Sequence, residues 1–407
     1  MTDKIEISFD DDEKGKIEVN LEQTLEEQII IADKITEPAS SIIVPANFYY
    51  AGNQGANKFY DSLIEFPGGI ESGFRKKFSI EFKDEFYSSV LADNKNLVLV
   101  STKGTVYFID KDSGELKGKV VLDNELVEKT GLIVEDEIYV NSLKRIYKVS
   151  ESNKEALFNA DESFYIWTNL NRYENNLLFA EYSDEQKKCR IILYDVKQSN
   201  YITLNEVKIE KFVSDRIVVH NEKAYFIFDD KCVIINLKKN ETEIIELGFE
   251  TNERSFIFAI NKGIVLVNNN EVYFLDVMHN DNVFKFTGIK ENFINSGGGS
   301  GENVFLGTGS GWYHYKINGV LVTHYEDTEE NIIEAISKNV LAISRRNKVI
   351  FYNLNKIQEA EGFILSSKDF NITQEIISVV FDRSLIYVLT HQGVLTAFSN
   401  DKLNIHI

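Results

Sequence analysis

Residues 97–117 read LVLVSTKGTVYFIDKDSGELK: a four-residue apolar run, a polar turn carrying Gly104, a second apolar run, and an Asp-Ser-Gly turn. Two strand-length apolar runs separated by turn residues predict an antiparallel pair. The first run is echoed at Ile138-Tyr139-Val140, Leu177-Leu178-Phe179, Tyr225-Phe226-Ile227, Ile264-Val265-Leu266, Val304-Phe305-Leu306, Val340-Leu341-Ala342 and Ile386-Tyr387-Val388. From Leu97 to Ile386 the average step is about 41 residues, the period of propeller blades. In the first copy four strands are predicted, at 88–92, 97–101, 105–109 and 115–122. The third strand closes on a short polar residue in several copies: Asp110, Asp195, Asn236, Asp276 and Asn353. Such a side chain can bond the backbone of the following turn.

Eight copies predict an all-β, eight-bladed β-propeller over residues 76–407, with seven blades as the alternative. A ring needs one blade built from both chain ends. The segment 75–82, RKKFSIEF, precedes the first copy and has the pattern of an outer strand without a blade of its own. It is expected to pair with the last repeat and close the ring, which removes aggregation-prone edges.

The region ahead of the repeats differs. All three prolines, Pro38, Pro45 and Pro67, fall within it; the proline-free remainder suits continuous sheet. In residues 1–37, Ile5, Ile7 and Phe9 alternate with polar residues, as do Ile17 and Val19, and Leu21, Leu25 and Ile29 follow at helical spacing. These predict an acidic ββα-like extension, with 12 acidic side chains against 4 Lys. Residues 38–75, rich in Gly, Asn and aromatics, are expected to form an irregular connector.

The repeats resemble the PQQ-like (quinoprotein-type) β-propeller family. In SSVLADNKNLVLVSTKGTVYFIDKDSGELKGKV, Gly104, Asp110 and Gly114 fall at positions matching the family pattern, and the last copy matches through Gly393. The resemblance covers about residues 78–407 and implies the fold. Quinoprotein dehydrogenases of this type bear an adjacent cysteine pair, a cofactor-stacking tryptophan, a calcium site and an export signal. Here Cys189 and Cys232 are isolated, the tryptophans are Trp167 and Trp312, and the N-terminus lacks an apolar signal core. No PQQ or other cofactor is expected.

Charge narrows the partners. A net charge of −20 disfavours nucleic acid, which requires a basic surface, and anionic lipid. No apolar stretch is long enough for a membrane helix, and no membrane insertion is expected. Two isolated cysteines suit a reducing compartment, so a cytoplasmic location is expected. Candidate chemistry is sparse. The six histidines, His220, His279, His314, His324, His391 and His406, show no metal-ligand spacing. The Asp110–Glu115 run lacks the flanking helices and twelfth-position acid of a calcium loop. The glycine runs at 297–301 and 307–311 lead into strands rather than helices, so they read as flexible connections and not phosphate cradles. No metal site and no catalytic residue is assigned.

Topology supplies one constellation. Turns between the second and third strands share one face, bringing together Lys103, Lys144, Arg145, Arg345 and Arg346, with Lys187 and Lys188, as a basic set on an acidic protein. Phe48, Tyr49 and Tyr50 form an aromatic candidate in the connector. The expected function is a non-catalytic protein-interaction scaffold, with these residues as partner-binding candidates. The alternatives are a glycosidase- or lyase-like enzyme, or a small-molecule sensor, using the central funnel.

Overall fold

The computed structural model describes residues 74–400, except 124, 130, 261, 277–281, 338, 355–361, 366–373 and 383–384. The expectations for residues 1–37, for nearly all of 38–75, and for Phe48, Tyr49 and Tyr50 lie outside these residues. Among the described residues there is no α-helix, and none long and apolar enough to cross a membrane. The chain forms eight antiparallel sheets in succession, the blades of a β-propeller.

Blade 1 consists of Leu91–Ala92, Asn96–Val100, Thr105–Asp110 and Leu116–Val121, in that order from the inner to the outer edge. Blades 2 to 7 follow within 132–159, 165–208, 213–246, 256–285, 294–326 and 332–365. Blade 8 takes its inner three strands from Ile376–Asp382, Leu385–Thr390 and Val394–Asn400, and its outer strand from Phe74–Glu81. The N-terminal strand therefore closes the ring, as its pattern predicts. Its register sets Ser79 against Thr396 and Ile80 against Leu395, with an irregularity between Lys76 and Phe78. That irregularity shifts the side-chain alternation. Phe74 packs toward blade 7, 5.0 Å from the Phe351 ring, whereas Phe78 and Ile80 pack on Leu395, Tyr387 and the blade 1 residue Leu99.

A single blade has two apolar faces and cannot bury them alone. Each core cluster accordingly joins two successive blades: Val98, Phe108 and Val140 between blades 1 and 2, and Ile191, Ile217 and Phe226 between blades 3 and 4. Small polar groups lace the inner strands. Ser89 and Ser378 hydroxyls meet at 2.7 Å across the blade 8–blade 1 seam, and Ser296 Oγ accepts the Ile333 amide at 2.9 Å from blade 6 to blade 7. The residues closing the third strands act as expected. Asp110 Oδ1 accepts the amides of Asp112 and Ser113, and Asp195 Oδ1 those of Lys197 and Gln198.

The glycine run of blade 6 is not a flexible connection. Gly297, Gly298 and Gly299 lie buried inside the inner strand Ile294–Ser300. A Cβ at each would meet Phe258, Ile336 and Ile260 respectively. The missing side chains let blades 5 and 7 close on blade 6. Packing, not mobility, requires glycine there.

Candidate functional site

Strands in each blade alternate in direction. Turns between second and third strands thus share one face with the connectors running from each outer strand to the next inner strand. Hydrogen bonds tie the two sets together: Thr102 N to Glu85 O, Val127 N to Thr102 O, Ile166 N to Leu143 O, and Ile376 N to Arg346 O, all within 3.0 Å.

All five basic candidates lie on or beside this face, but connector groups engage most of them. Lys144 Nζ donates to the carbonyls of Glu162 at 2.7 Å and Phe164 at 2.5 Å, and sits 3.9 Å from the centre of the Tyr165 ring. Arg145 pairs with Glu125 at 2.8 Å and Asp123 at 3.2 Å. Arg345 pairs with Asp327, and its Nε donates to Asn331 at 2.7 Å. Lys187 and Lys188 pair with Asp184 and Glu206. Lys103 and Arg346 are exposed and make no ion pair among the described residues. Arg346 borders a cavity of about 600 Å³ that also carries Glu329, Glu330 and Glu375. The turns of blades 1, 2 and 7 are basic, that of blade 4 carries Asp229 and Asp230, and the connectors are acidic, so the face is a mosaic rather than a positive field.

Three side chains on successive connectors were not singled out from sequence. Tyr87, Leu126 and Tyr165 lie at the entries to blades 1, 2 and 3 and are 60%, 45% and 43% exposed. Tyr87 stands 4.6 Å from the His391 ring on the turn of blade 8. Leu126 adjoins Val127, whose amide is bonded to the turn that bears Lys103.

Near the inner edge, Lys129 from the entry to blade 2 reaches Asp215 on the inner strand of blade 4 at 2.6 Å. It passes blade 3, where two short strands, Tyr165–Ile166 and Asn171–Tyr173, both pair with Asn176–Ser183. Burial would raise the Asp215 pKa, but Lys129 and Arg216 outweigh it and hold the carboxyl below its usual range. The Arg216 guanidinium lies 5.0 Å from the Phe256 ring centre.

Asp229 organises the turn of blade 4. Its backbone is left-handed, with φ 47°, and its carboxylate accepts the amides of Glu210, Lys211 and Phe212 at 2.8–2.9 Å. Burial opposes ionisation, but the three donors prevail and lower its pKa. A carboxyl with a lowered folded pKa stabilises the fold above its unfolded value, near pH 4, and loses that contribution as pH falls through the folded value. Asp229→Asn is therefore expected to show a smaller loss of melting temperature than the parent on acidification from about pH 4 downward. Identical acid profiles would remove Asp229 from this role.

No family model matches the chain, and no curated protein does. Solved structures do match. The computationally designed Ika8 protein is 11% identical with a TM-score of 0.62, covering 80% of this chain and 99% of that one. A catalytically inactive virginiamycin B lyase from Staphylococcus aureus, solved with quinupristin, is 11% identical with a TM-score of 0.50, covering 80% and 99%. BamB from Moraxella catarrhalis is 9% identical with a TM-score of 0.42, covering 80% and 100%. At these identities the likeness is one of fold, and the resemblance to PQQ-like propeller repeats stands at that level.

Proposed function

We propose that the protein is a non-catalytic interaction scaffold that presents the turn-and-connector face of its ring to a protein partner. The observation that carries this reading is the row of exposed Tyr87, Leu126 and Tyr165 on three successive connectors, beside Lys103 and Lys144. Exposed aromatic and apolar side chains set among polar neighbours are the residue types that anchor protein interfaces. The ion pairs around them hold the connectors in place, so the partner meets a preorganised surface, which limits the ordering cost of association.

The test is an affinity capture of the tagged full-length protein from its host lysate, with Tyr87 and Tyr165 both changed to Ser in a parallel sample. The parent is expected to retain a stoichiometric partner, and the double variant to lose at least about tenfold of it. Because both side chains are exposed, unfolding free energy should stay within about 0.5 kcal/mol of the parent. A variant that captures the partner undiminished, or a parent that captures none, would count against the scaffold reading.

A further inference from the structure

The inner strand of blade 4, Val213–His220, does not pair evenly with its neighbour. Val213 faces Phe228 and Ile217 faces Phe226, so two extra residues are accommodated among Ser214, Asp215 and Arg216. The inner strands of blades 6, 7 and 8 slip near the same end by one residue only. Blade 3 holds both ends of the wider bulge: Trp167 Nε1 donates to Val213 O at 3.2 Å, and Asn171 Nδ2 to Ile217 O at 2.7 Å. Inside it the buried Ser214 hydroxyl accepts the Arg216 amide at 3.1 Å. Bulges re-aim side chains, and here the charged ones re-aimed are Asp215 and Arg216.

The place is concave. Burial is the largest single influence on the Asp215 carboxyl, although 47% of its side chain meets solvent. The charges that act on it most strongly are both positive, Lys129 and Arg216. Lys129 gives Asp215 Oδ2 one bond, at 2.6 Å. Arg216 Nε is 3.8 Å from Asp215 Oδ1, too far for a hydrogen bond. The guanidinium rests over the buried Phe256 and donates to no described residue. Glu128, beside Lys129 in the chain, is exposed and pairs with neither cation. An ammonium carries three N–H groups and a guanidinium five, and only one of these bonds a described acceptor. Two cations thus share one carboxylate, which leaves a positive charge in excess with its donors unspent, on a chain of net charge −20.

We propose that this bulge is a binding subsite for the oxyanionic group, carboxylate or phosphate, of a small ligand that enters the funnel at the ring centre. Arg216 and Lys129 supply the donors. An oxyanion accepts several charge-assisted bonds at once, which a neutral group does not match. Asp215 holds the Lys129 ammonium, and Trp167 with Asn171 holds the bulge, so the donors are preorganised. A concave setting strengthens the attraction relative to open surface. The inference goes beyond the scaffold reading and uses none of its three exposed side chains.

The full-length protein carries two tryptophans, Trp167 and Trp312, so two indole N–H signals are available to NMR. Trp167 clamps the bulge, whereas Trp312 is buried in blade 6. Loss of one signal in Trp167→Phe assigns both. Inorganic phosphate and succinate are titrated at constant ionic strength, with uncharged succinamide as control. A saturable shift of the Trp167 signal by at least one anion is expected, with the Trp312 signal unmoved and succinamide silent. The anion that binds more tightly names the group. Arg216→Met should weaken binding about tenfold, the size of one charge-assisted contact. Asp215→Asn removes the resident negative charge and should tighten it several-fold. An unchanged Trp312 signal in each variant shows the ring intact. No saturable response, an equal response to succinamide, undiminished binding by Arg216→Met, or weaker binding by Asp215→Asn overturns the assignment.

Discussion

A chain that begins after Glu81 is expected to lose cooperative folding of the ring. The strand Phe74–Glu81 is the outer strand of blade 8 and is held by seven register positions against Val394–Asn400. Phe74, Phe78 and Ile80 pack into the clusters on either side of that blade. Fully buried, such a side chain contributes about 1.5–3 kcal/mol; these three are half-buried and contribute a part of that, and each ladder hydrogen bond adds about 0.5–1.5 kcal/mol. Together these approach the whole stability of a typical domain, about 5–15 kcal/mol. The loss also bares Val394–Asn400 as an unpaired, largely apolar edge, a template for pairing with another chain. Size-exclusion chromatography and urea unfolding followed by tryptophan fluorescence would read the outcome. A monomer with an unchanged transition would show that closure by this strand is dispensable.

Lys111→Ala is expected to destabilise the ring by about 3–5 kcal/mol, more than any surface charge change. Lys111 Nζ lies 2.5 Å from Asp382 Oδ2, and the two residues are 7% and 3% exposed. The lysine also donates to Asp93 O at 2.7 Å. The pair spans the seam between blade 1 and blade 8, on the face opposite the connectors. Removing only the lysine leaves a buried carboxylate without its counter-charge, which costs far more than the intact pair contributes. The double change Lys111→Met with Asp382→Leu should recover most of the loss, because burying two uncharged side chains avoids the desolvation of two ions. Urea midpoints of the parent and both variants decide it. A single variant within about 0.5 kcal/mol of the parent would show that the pair does not hold the seam.

Much of the architecture was present in the chain as pattern. The repeated apolar runs located the second strand of every blade. The expected 105–109 and 115–122 of the first copy appear as Thr105–Asp110 and Leu116–Val121. The lone strand pattern at 75–82 anticipated the closing partner of the last repeat. Asp110 and Asp195 cap their turns as short polar residues do. All of these are local facts. A strand, a turn and its cap are decided by residues within a few positions of one another, and the period is decided by their repetition.

The site was legible only in part, because its contacts join residues far apart in the chain. The turns were correctly placed on one face, but Arg145 meets Asp123 and Glu125, and Arg345 meets Asp327, across connectors that the turn count left out. Lys129 finds Asp215 86 positions away. The glycines at 297–299 were read from their flexibility, whereas Phe258, Ile260 and Ile336 of the neighbouring blades explain them. Alternation along a strand fixes which side chains share a face of a sheet. It carries no record of what the next blade places opposite them. The sequence alone therefore determined the repeat and its closing strand and favoured eight blades over seven; the structure has eight, one of them with a fifth short strand. Tertiary packing decided which charges on its face cancel and which aromatics stay exposed.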